Sequence, residues 1–181
     1  SRKESYIHRM FNQLFYGPSL YEEIFNEESK FSQDPLIDLD EIVLDENLMK
    51  KLQNRFDKKI TTVTGRGKFA FSYSMKNFLN NFDMQNSVFL EDRPLELAKP
   101  NPKSLIESIS AIDSKCSLYV GDSMEDLLMV EKCKESGYDV SFCGIYGSSD
   151  EPELKYELFQ KNNASIILES IQELPKALNL V

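Results

Sequence analysis

The most specific chemistry in the sequence follows an apolar run at residues 118–120, which ends in Gly121-Asp122. Ser123 comes next as an N-cap, and Asp126 stands where a helical side chain tilts back toward the helix start. Carboxylates so placed suit Mg²⁺, which takes one or two of them and keeps several waters. The alternative is a capping arrangement with Asp126 in the third helical position, which leaves Gly121-Asp122 unexplained.

A second segment, Thr64-Gly65-Arg66-Gly67, follows a β-branched run and precedes a helical pattern. A hydroxyl together with free backbone amides at the start of a helix can cradle a phosphate. The glycines would let those amides approach a ligand closely. The alternative is an ordinary strand-to-helix turn that needs glycine for its φ angles.

A third segment places Lys99 before Pro100. Asn101 as N-cap and Pro102 at the first helical position explain the start of the next helix. They leave Lys99 unexplained, and a lysine held before a proline-fixed turn would present a positive charge on a constrained stem. The alternative is an exposed loop lysine.

The elements that must position these segments alternate from Ile60 onward between β-rich runs and amphipathic helices. We predict strands at 60–63, 87–90, 117–120, 140–145 and 165–168. We predict helices at 68–80, 102–112, 124–136, 152–160 and 171–178. This alternation predicts an α/β fold, a Rossmann-like parallel sheet with helices on both faces. Ligands of such sheets bind beyond the carboxyl ends of the strands, so the three segments should lie together.

The N-terminal quarter has a different pattern. Aromatic and aliphatic residues recur at helical spacing through residue 26, interrupted by Gly17-Pro18, with Ser19 predicted as the N-cap of a second helix. Residues 27–45 are polar and acidic and predict a loop, after which Asp45 caps a helix through about Phe56. We therefore expect a small helical domain at 1–45 and an α/β core at 46–181.

Taken in order, Thr64-Gly65-Arg66, Lys99-Pro100 and Gly121-Asp122-Ser123 with Asp126 resemble motifs two, three and four of the haloacid dehalogenase (HAD) superfamily of hydrolases, phosphatase type. The resemblance covers about residues 46–178. It implies that residues 1–45 are part of a helical cap.

The resemblance also implies roles within an aspartyl-phosphate mechanism. Thr64 and Gly65, with Arg66 beside them, would bind phosphoryl oxygens together with Lys99. Lys99 would also offset negative charge during the reaction. Asp122 would hold Mg²⁺, and Asp126 would orient Lys99 or support the metal shell. Such positioning and charge neutralisation are what phosphoryl transfer requires.

The aspartate nucleophile of that family ends a buried strand in Asp-x-Asp-Gly, and here the only Asp-x-Asp is Asp38-Leu39-Asp40, followed by Glu41. Pro35 and the polar residues before it predict an acidic loop, so we expect the nucleophile upstream of Ser1. The family's central strand would then be missing, leaving two strand edges unpaired. Alternatively, residues 36–39 fill the gap and Asp38 and Asp40 act in catalysis.

Composition narrows the remaining function classes. The formal net charge of −9 argues against a nucleic-acid surface, and no apolar stretch predicts a membrane span. Three cysteines without ligand spacing fit reduced thiols in a cytoplasmic protein. We expect a Mg²⁺-dependent phosphohydrolase that acts on a small phosphorylated metabolite. Hydrolysis of an aryl phosphate by the unchanged chain and by its Asp38→Asn and Asp122→Asn variants would test this expectation. The alternative is a non-catalytic HAD-like module that binds phosphate and Mg²⁺ or regulates another protein.

Overall fold

The computed structural model of the chain describes residues 5–180, a mixed α/β arrangement with two small parallel sheets. Residues 1–4 and 181, which we assigned to the cap and the core, lie outside the described range. The helices are α1 (Tyr6–Phe25), α2 (Glu46–Phe56), α3 (Lys68–Ser74), α4 (Lys103–Ala111), α5 (Met124–Glu135), α6 (Pro152–Lys161) and α7 (Leu174–Ala177). The strands are β1 (Val63–Thr64), β2 (Val88–Phe89), β3 (Ser117–Gly121), β4 (Val140–Ile145) and β5 (Ile166–Leu168). None of these helices is long and apolar enough to cross a membrane.

The larger sheet has the order β3-β4-β5, with all strands parallel. Consecutive strand residues face opposite sides, so Phe142 and Cys143 of β4 enter two separate clusters of buried side chains. Phe142 packs with residues of α4, α5 and α6, whereas Cys143 packs with residues of α2 and α7. Helices therefore cover both faces of this sheet, and its core fixes where the end of β3 lies.

The smaller sheet contains only β1 and β2, paired in parallel with Val63 opposite Val88 and Thr64 opposite Phe89. Among the described residues no backbone pairing joins β1 to β3. Each of these strands pairs with one neighbour only. Within residues 5–180, β1 and β3 therefore each have an edge without a backbone partner, and the missing central strand stays a prediction.

The chain divides into two compact units. The first consists of residues up to Ile42 together with Lys68–Lys76, and the second of Val43–Gly67 together with the residues from Asn77 onward. Residues 68–76, which the sequence pattern placed in the α/β core, thus group with the N-terminal helix. All residues of the candidate site except Asp38 and Asp40 belong to the second unit.

The first unit is built on α1, which is interrupted at Gly17 (φ 67°, ψ 175°). Glycine is required there because the φ is positive and because a Cβ would lie 2.9 Å from the Cβ of Pro35. Pro18, not Ser19, is the first residue after the break, so the predicted Ser19 N-cap is wrong. Proline suits that position, since the first turn of a helix does not need its N–H.

Residues 36–39 form a 3₁₀ turn rather than a strand. Ile37 is its buried residue and packs with Tyr16 and Tyr21 of α1 and with Ala70 of α3. The alternative in which residues 36–39 fill the gap in the sheet is therefore wrong. A single buried apolar side chain after Pro35 suffices for a turn but not for a buried strand.

Several helices and strands are shorter than predicted. Helix α3 ends at Ser74 instead of residue 80, and a 3₁₀ turn at Leu79–Asn81 follows it. The strands predicted at 60–63 and 87–90 shrink to two residues each, and the last predicted helix begins as a 3₁₀ turn at Ile171–Glu173. The other elements agree with the predictions to within about two residues, which is the usual uncertainty of such ends.

Three helix starts show the local chemistry read from the sequence. The Asp45 side chain accepts a hydrogen bond from the Leu48 N–H at 2.7 Å, as an N-cap does. Asn101 Oδ1 accepts from the Lys103 N–H at 3.0 Å, but the prediction of Asn101 as N-cap is wrong, because Pro102 occupies that position and α4 begins at Lys103. Ser123 and Asp126 form a complete capping box at the start of α5.

The three cysteines are free, and only Cys116 is exposed. Cys133 and Cys143 are fully buried, and burial raises the pKa of the Cys143 thiol to about 12. Because the reagent must reach the sulfur and only Cys116 is exposed, we expect one fast-reacting thiol in the native protein at pH 8 and three after denaturation. Titration with an aromatic disulfide reagent measures this, and Cys116→Ser should abolish the fast phase. Two or more fast thiols in the native protein would contradict the burial of Cys133 and Cys143.

Candidate functional site

Asp126 lies at the centre of the candidate site. The main-chain N–H of Ser123 donates to Asp126 Oδ2 at 3.3 Å, and the Ser123 hydroxyl donates to the same oxygen at 2.8 Å. The side chain of Asp126 is only 6% exposed. It also lies over Gly121, where a Cβ would come within 2.8 Å of the Asp126 Cβ. The glycine before Asp122 is therefore required by the helix aspartate that covers it.

Lys99 contacts this carboxylate directly. Its Nζ lies 2.7 Å from Asp126 Oδ1, and its side chain is 16% exposed, so the ion pair is largely buried. Burial by itself raises the pKa of Asp126, but the Lys99 ammonium and the hydrogen bonds from Ser123 and Tyr119 outweigh it, and the pKa is lowered. The carboxylate is thus ionised at neutral pH and fixes the lysine. The alternative of an exposed loop lysine is wrong.

Tyr119 on β3 joins this network, although its place in the apolar run at residues 118–120 predicted no role for it. Its hydroxyl is 3.0 Å from Asp126 Oδ1 and 2.9 Å from the carbonyl oxygen of Val63 on β1. Lys99 Nζ also lies 5.6 Å from the centre of the Tyr119 ring. The only sequence signal was a phenol inside an apolar strand, since a buried tyrosine hydroxyl needs a partner.

In the turn after β1, two backbone N–H groups already donate hydrogen bonds to side chains of the protein. The Arg66 N–H donates to Thr64 Oγ1 at 3.2 Å, and the Gly67 N–H donates to Glu91 Oε2 at 2.9 Å. The sequence pattern predicted that these backbone amides would be free to bind a phosphate. The amides of Arg66 and Gly67 are not free, because each already donates a hydrogen bond within the protein. Thr64 Oγ1 accepts one hydrogen bond and still has its own proton to donate.

The two glycines of this turn differ in what requires them. Neither has a positive φ, so the alternative of a turn that needs glycine for its φ angles is wrong. At Gly67 a Cβ would lie 2.9 Å from Glu91 Oε2, which accounts for glycine there. At Gly65 a Cβ would meet nothing within 4 Å, and the residue is exposed. The space beside Gly65 is therefore open to solvent.

Asp122 and Asp126 differ as candidate metal ligands. Asp122 is exposed at the end of β3, whereas both oxygens of Asp126 are already bound by Lys99, Tyr119 and Ser123. No group of three or more His, Cys, Asp or Glu side chains within residues 5–180 is arranged to hold a metal. Asp122 alone fits Mg²⁺ bound mainly by water, since that ion often uses one carboxylate.

The Asp38-Leu39-Asp40 segment is hydrogen-bonded to α3 in the first unit. Asp38 Oδ1 accepts a hydrogen bond from the Tyr73 hydroxyl at 2.8 Å, and Asp40 Oδ2 accepts one from the Ser74 hydroxyl at 2.6 Å. Asp38 belongs to a 3₁₀ turn and does not end a strand. These contacts give both carboxylates a structural role in holding the turn against α3.

No protein-family model matches this chain, and no curated protein or solved structure matches it either. The resemblance to the haloacid dehalogenase superfamily therefore stays a prediction based on three short motifs. The described residues contain a largely buried Lys99–Asp126 ion pair. The hydroxyl of Tyr119 on β3 contacts both Asp126 and the Val63 carbonyl on β1.

Proposed function

We propose that this chain carries the phosphate- and Mg²⁺-binding part of a phosphohydrolase of the haloacid dehalogenase type, acting on small phosphorylated metabolites. The observation that carries the proposal is the Tyr119 hydroxyl, which contacts both Val63 O and Asp126 Oδ1. Val63 precedes Thr64, and Asp126 holds Lys99. The hydroxyl and the ammonium proposed for phosphate binding are thus supported by one side chain.

Each proposed role follows from the chemistry of the group. The Thr64 hydroxyl donates a hydrogen bond to a phosphoryl oxygen beside the open face of Gly65. Lys99 supplies positive charge on a stem that Asp126 fixes, so little reorganisation is needed when an anion arrives. Asp122 holds Mg²⁺, which when bound neutralises phosphoryl charge. Asp126 orients Lys99 and does not bind the metal.

The finer fold belongs to the same proposal. We infer a Rossmann-like sheet in which a further parallel strand lies between β1 and β3 and carries the nucleophile. Both strands lack a second neighbour within residues 5–180, and all five residues of β3 are only half-buried, whereas four of the six residues of β4 are buried. On this proposal the chain by itself binds phosphate and Mg²⁺ but does not hydrolyse a phosphate ester.

A pair of substitutions at Thr64 tests the phosphate site. Thr64→Val should weaken binding of inorganic phosphate about tenfold, because it removes a hydroxyl that bonds a charged ligand. Thr64→Ser keeps the hydroxyl and should bind within about twofold of the unchanged chain. Chemical-shift titration of the Gly65 amide with inorganic phosphate, with and without Mg²⁺, measures the affinity. Failure of the unchanged chain to bind phosphate at millimolar concentration would overturn the proposal.

Hydrolysis of an aryl phosphate distinguishes the alternatives. The acidic turn at residues 36–39 favours a chain without turnover, which fits either an incomplete enzyme or a non-catalytic binding module. Turnover that Asp38→Asn abolishes would instead make Asp38 the nucleophile, with Asp122→Asn as the comparison for lost Mg²⁺ binding. Adding upstream sequence separates the other two: an incomplete enzyme gains turnover, and a binding module does not.

A further inference from the structure

The Tyr119 hydroxyl lies at the edge of β1 that no described strand pairs with. The carbonyl of Thr62 accepts from the Val88 N–H of the β2 side, so the next carbonyl, that of Val63, faces the unpaired edge of β1. Tyr119 on β3 approaches that carbonyl at 2.9 Å. A side chain thus makes the connection that backbone pairing does not make between the two sheets.

The ring and the hydroxyl of Tyr119 have separable contacts. The ring stacks on Phe142, with centroids 6.5 Å apart, and faces the Lys99 ammonium. The hydroxyl has one proton and two acceptors, the Val63 carbonyl and the Asp126 carboxylate. Burial, the Asp126 charge and the hydrogen bond to Asp126 raise the phenol pKa, so the hydroxyl remains a donor at neutral pH. Removing the oxygen alone would leave the ring packing in place.

We propose that Tyr119 is a positioning residue whose hydroxyl holds the Thr64 end of β1 against the Lys99–Asp126 pair and so sets the spacing of the two phosphate-binding groups. This inference rests on the proposed function and concerns the chain by itself, because the further strand proposed between β1 and β3 would pair with the Val63 carbonyl wherever that strand is present. It follows from the contacts, because Val63 is bonded covalently to Thr64 and Asp126 Oδ1 lies 2.7 Å from Lys99 Nζ. Without the hydroxyl, no described hydrogen bond connects the end of β1 to this pair.

The test is Tyr119→Phe, with Tyr138→Phe as the matched control. Tyr138 also packs on the main core cluster, and its hydroxyl lies 3.3 Å from Ser110 Oγ, outside the Lys99 network. Tyr119→Phe should weaken inorganic phosphate binding about fivefold, the size expected for one lost hydrogen bond. Mg²⁺ affinity should stay within about twofold, and the control should change neither affinity.

A second readout separates positioning from a general structural role. Tyr119→Phe removes a hydrogen bond that stabilises the Asp126 carboxylate, so the pKa of Asp126 should rise, as carboxyl ¹³C NMR measures. If the unchanged chain binds no phosphate, both the proposed function and this inference fail. If it binds phosphate and Tyr119→Phe binds equally well, only this inference fails. Parallel loss of phosphate binding, Mg²⁺ binding and thermal stability would reduce Tyr119 to a packing residue and also overturn it.

Discussion

Replacing Lys99 by Met is expected to lower the free energy of unfolding by about 3 to 5 kcal/mol at pH 7, the range for breaking a buried ion pair on one side. Methionine keeps an unbranched stem, so the main loss is the ammonium 2.7 Å from Asp126 Oδ1. The carboxylate would remain 6% exposed without its counter-charge. Urea unfolding measures the change as a shift in midpoint at constant slope.

The pH dependence of this effect has a definite sign. Asp126 has a lowered pKa in the folded chain, so its contribution to stability is present above the unfolded pKa of about 3.9 and is lost as the pH falls through the folded value. In Lys99→Met the burial acts without the ammonium and raises that pKa instead. The variant therefore loses stability as the pH rises toward neutrality. The difference between the two proteins should be largest at pH 7 and shrink toward pH 4.

Two further variants make the result interpretable. The double variant Lys99→Met, Asp126→Asn should recover part of the loss, because no charge is then left buried and the amide can still bond Ser123. Arg93→Met breaks the exposed Arg93–Glu107 pair, whose side chains are 41% and 51% exposed, and should cost less than about 1 kcal/mol. If Lys99→Met costs no more than Arg93→Met, Lys99 and Asp126 do not behave as a buried pair.

Sequence patterns predicted the parts of the site that depend on local chemistry. Asp45 and Ser123 cap their helices because a side-chain oxygen and the amides of the next turn are close in any chain that starts a helix there. Likewise, Asp126 returns toward Ser123 because helical side chains tilt toward the N-terminus. Strand β4 matched its predicted bounds, Val140–Ile145, and it pairs with β3 on one side and β5 on the other.

Other features depend on partners that a local pattern cannot supply. Strands β1 and β2 pair only with each other and over two residues, whereas the β-branched run at residues 60–63 predicts that a segment can pair but not with which partner or over what length. Helix α3 was predicted to reach residue 80, yet it ends at Ser74, whose side chain bonds Asp40 more than 30 residues earlier. The role of Tyr119 depends on Val63, 56 residues away, and no spacing rule relates the two.

Gly121→Ala is expected to lower the free energy of unfolding by about 3 kcal/mol, at the upper end of the cost of overpacking. The added Cβ would lie 2.7 Å from Asp126 Oδ2 and 2.8 Å from the Asp126 Cβ. The second contact is with the root of the side chain, which cannot rotate away, and the carboxylate is held by Lys99 and Ser123. Relief of the contact therefore requires displacement of α5 or loss of the ion pair.

Gly65→Ala is the matched control, because neither glycine has a positive φ and only Gly65 has open space at its Cβ. It should change the unfolding free energy by less than about 0.5 kcal/mol, as substitutions at unconstrained surface positions do. Equal effects of the two variants in urea unfolding would show that Asp126 does not cover Gly121. A large difference would mean that Gly121 and Asp126 form one structural unit. The absence of a side chain at the end of β3 then leaves the space in which Asp126 packs and from which it orients Lys99.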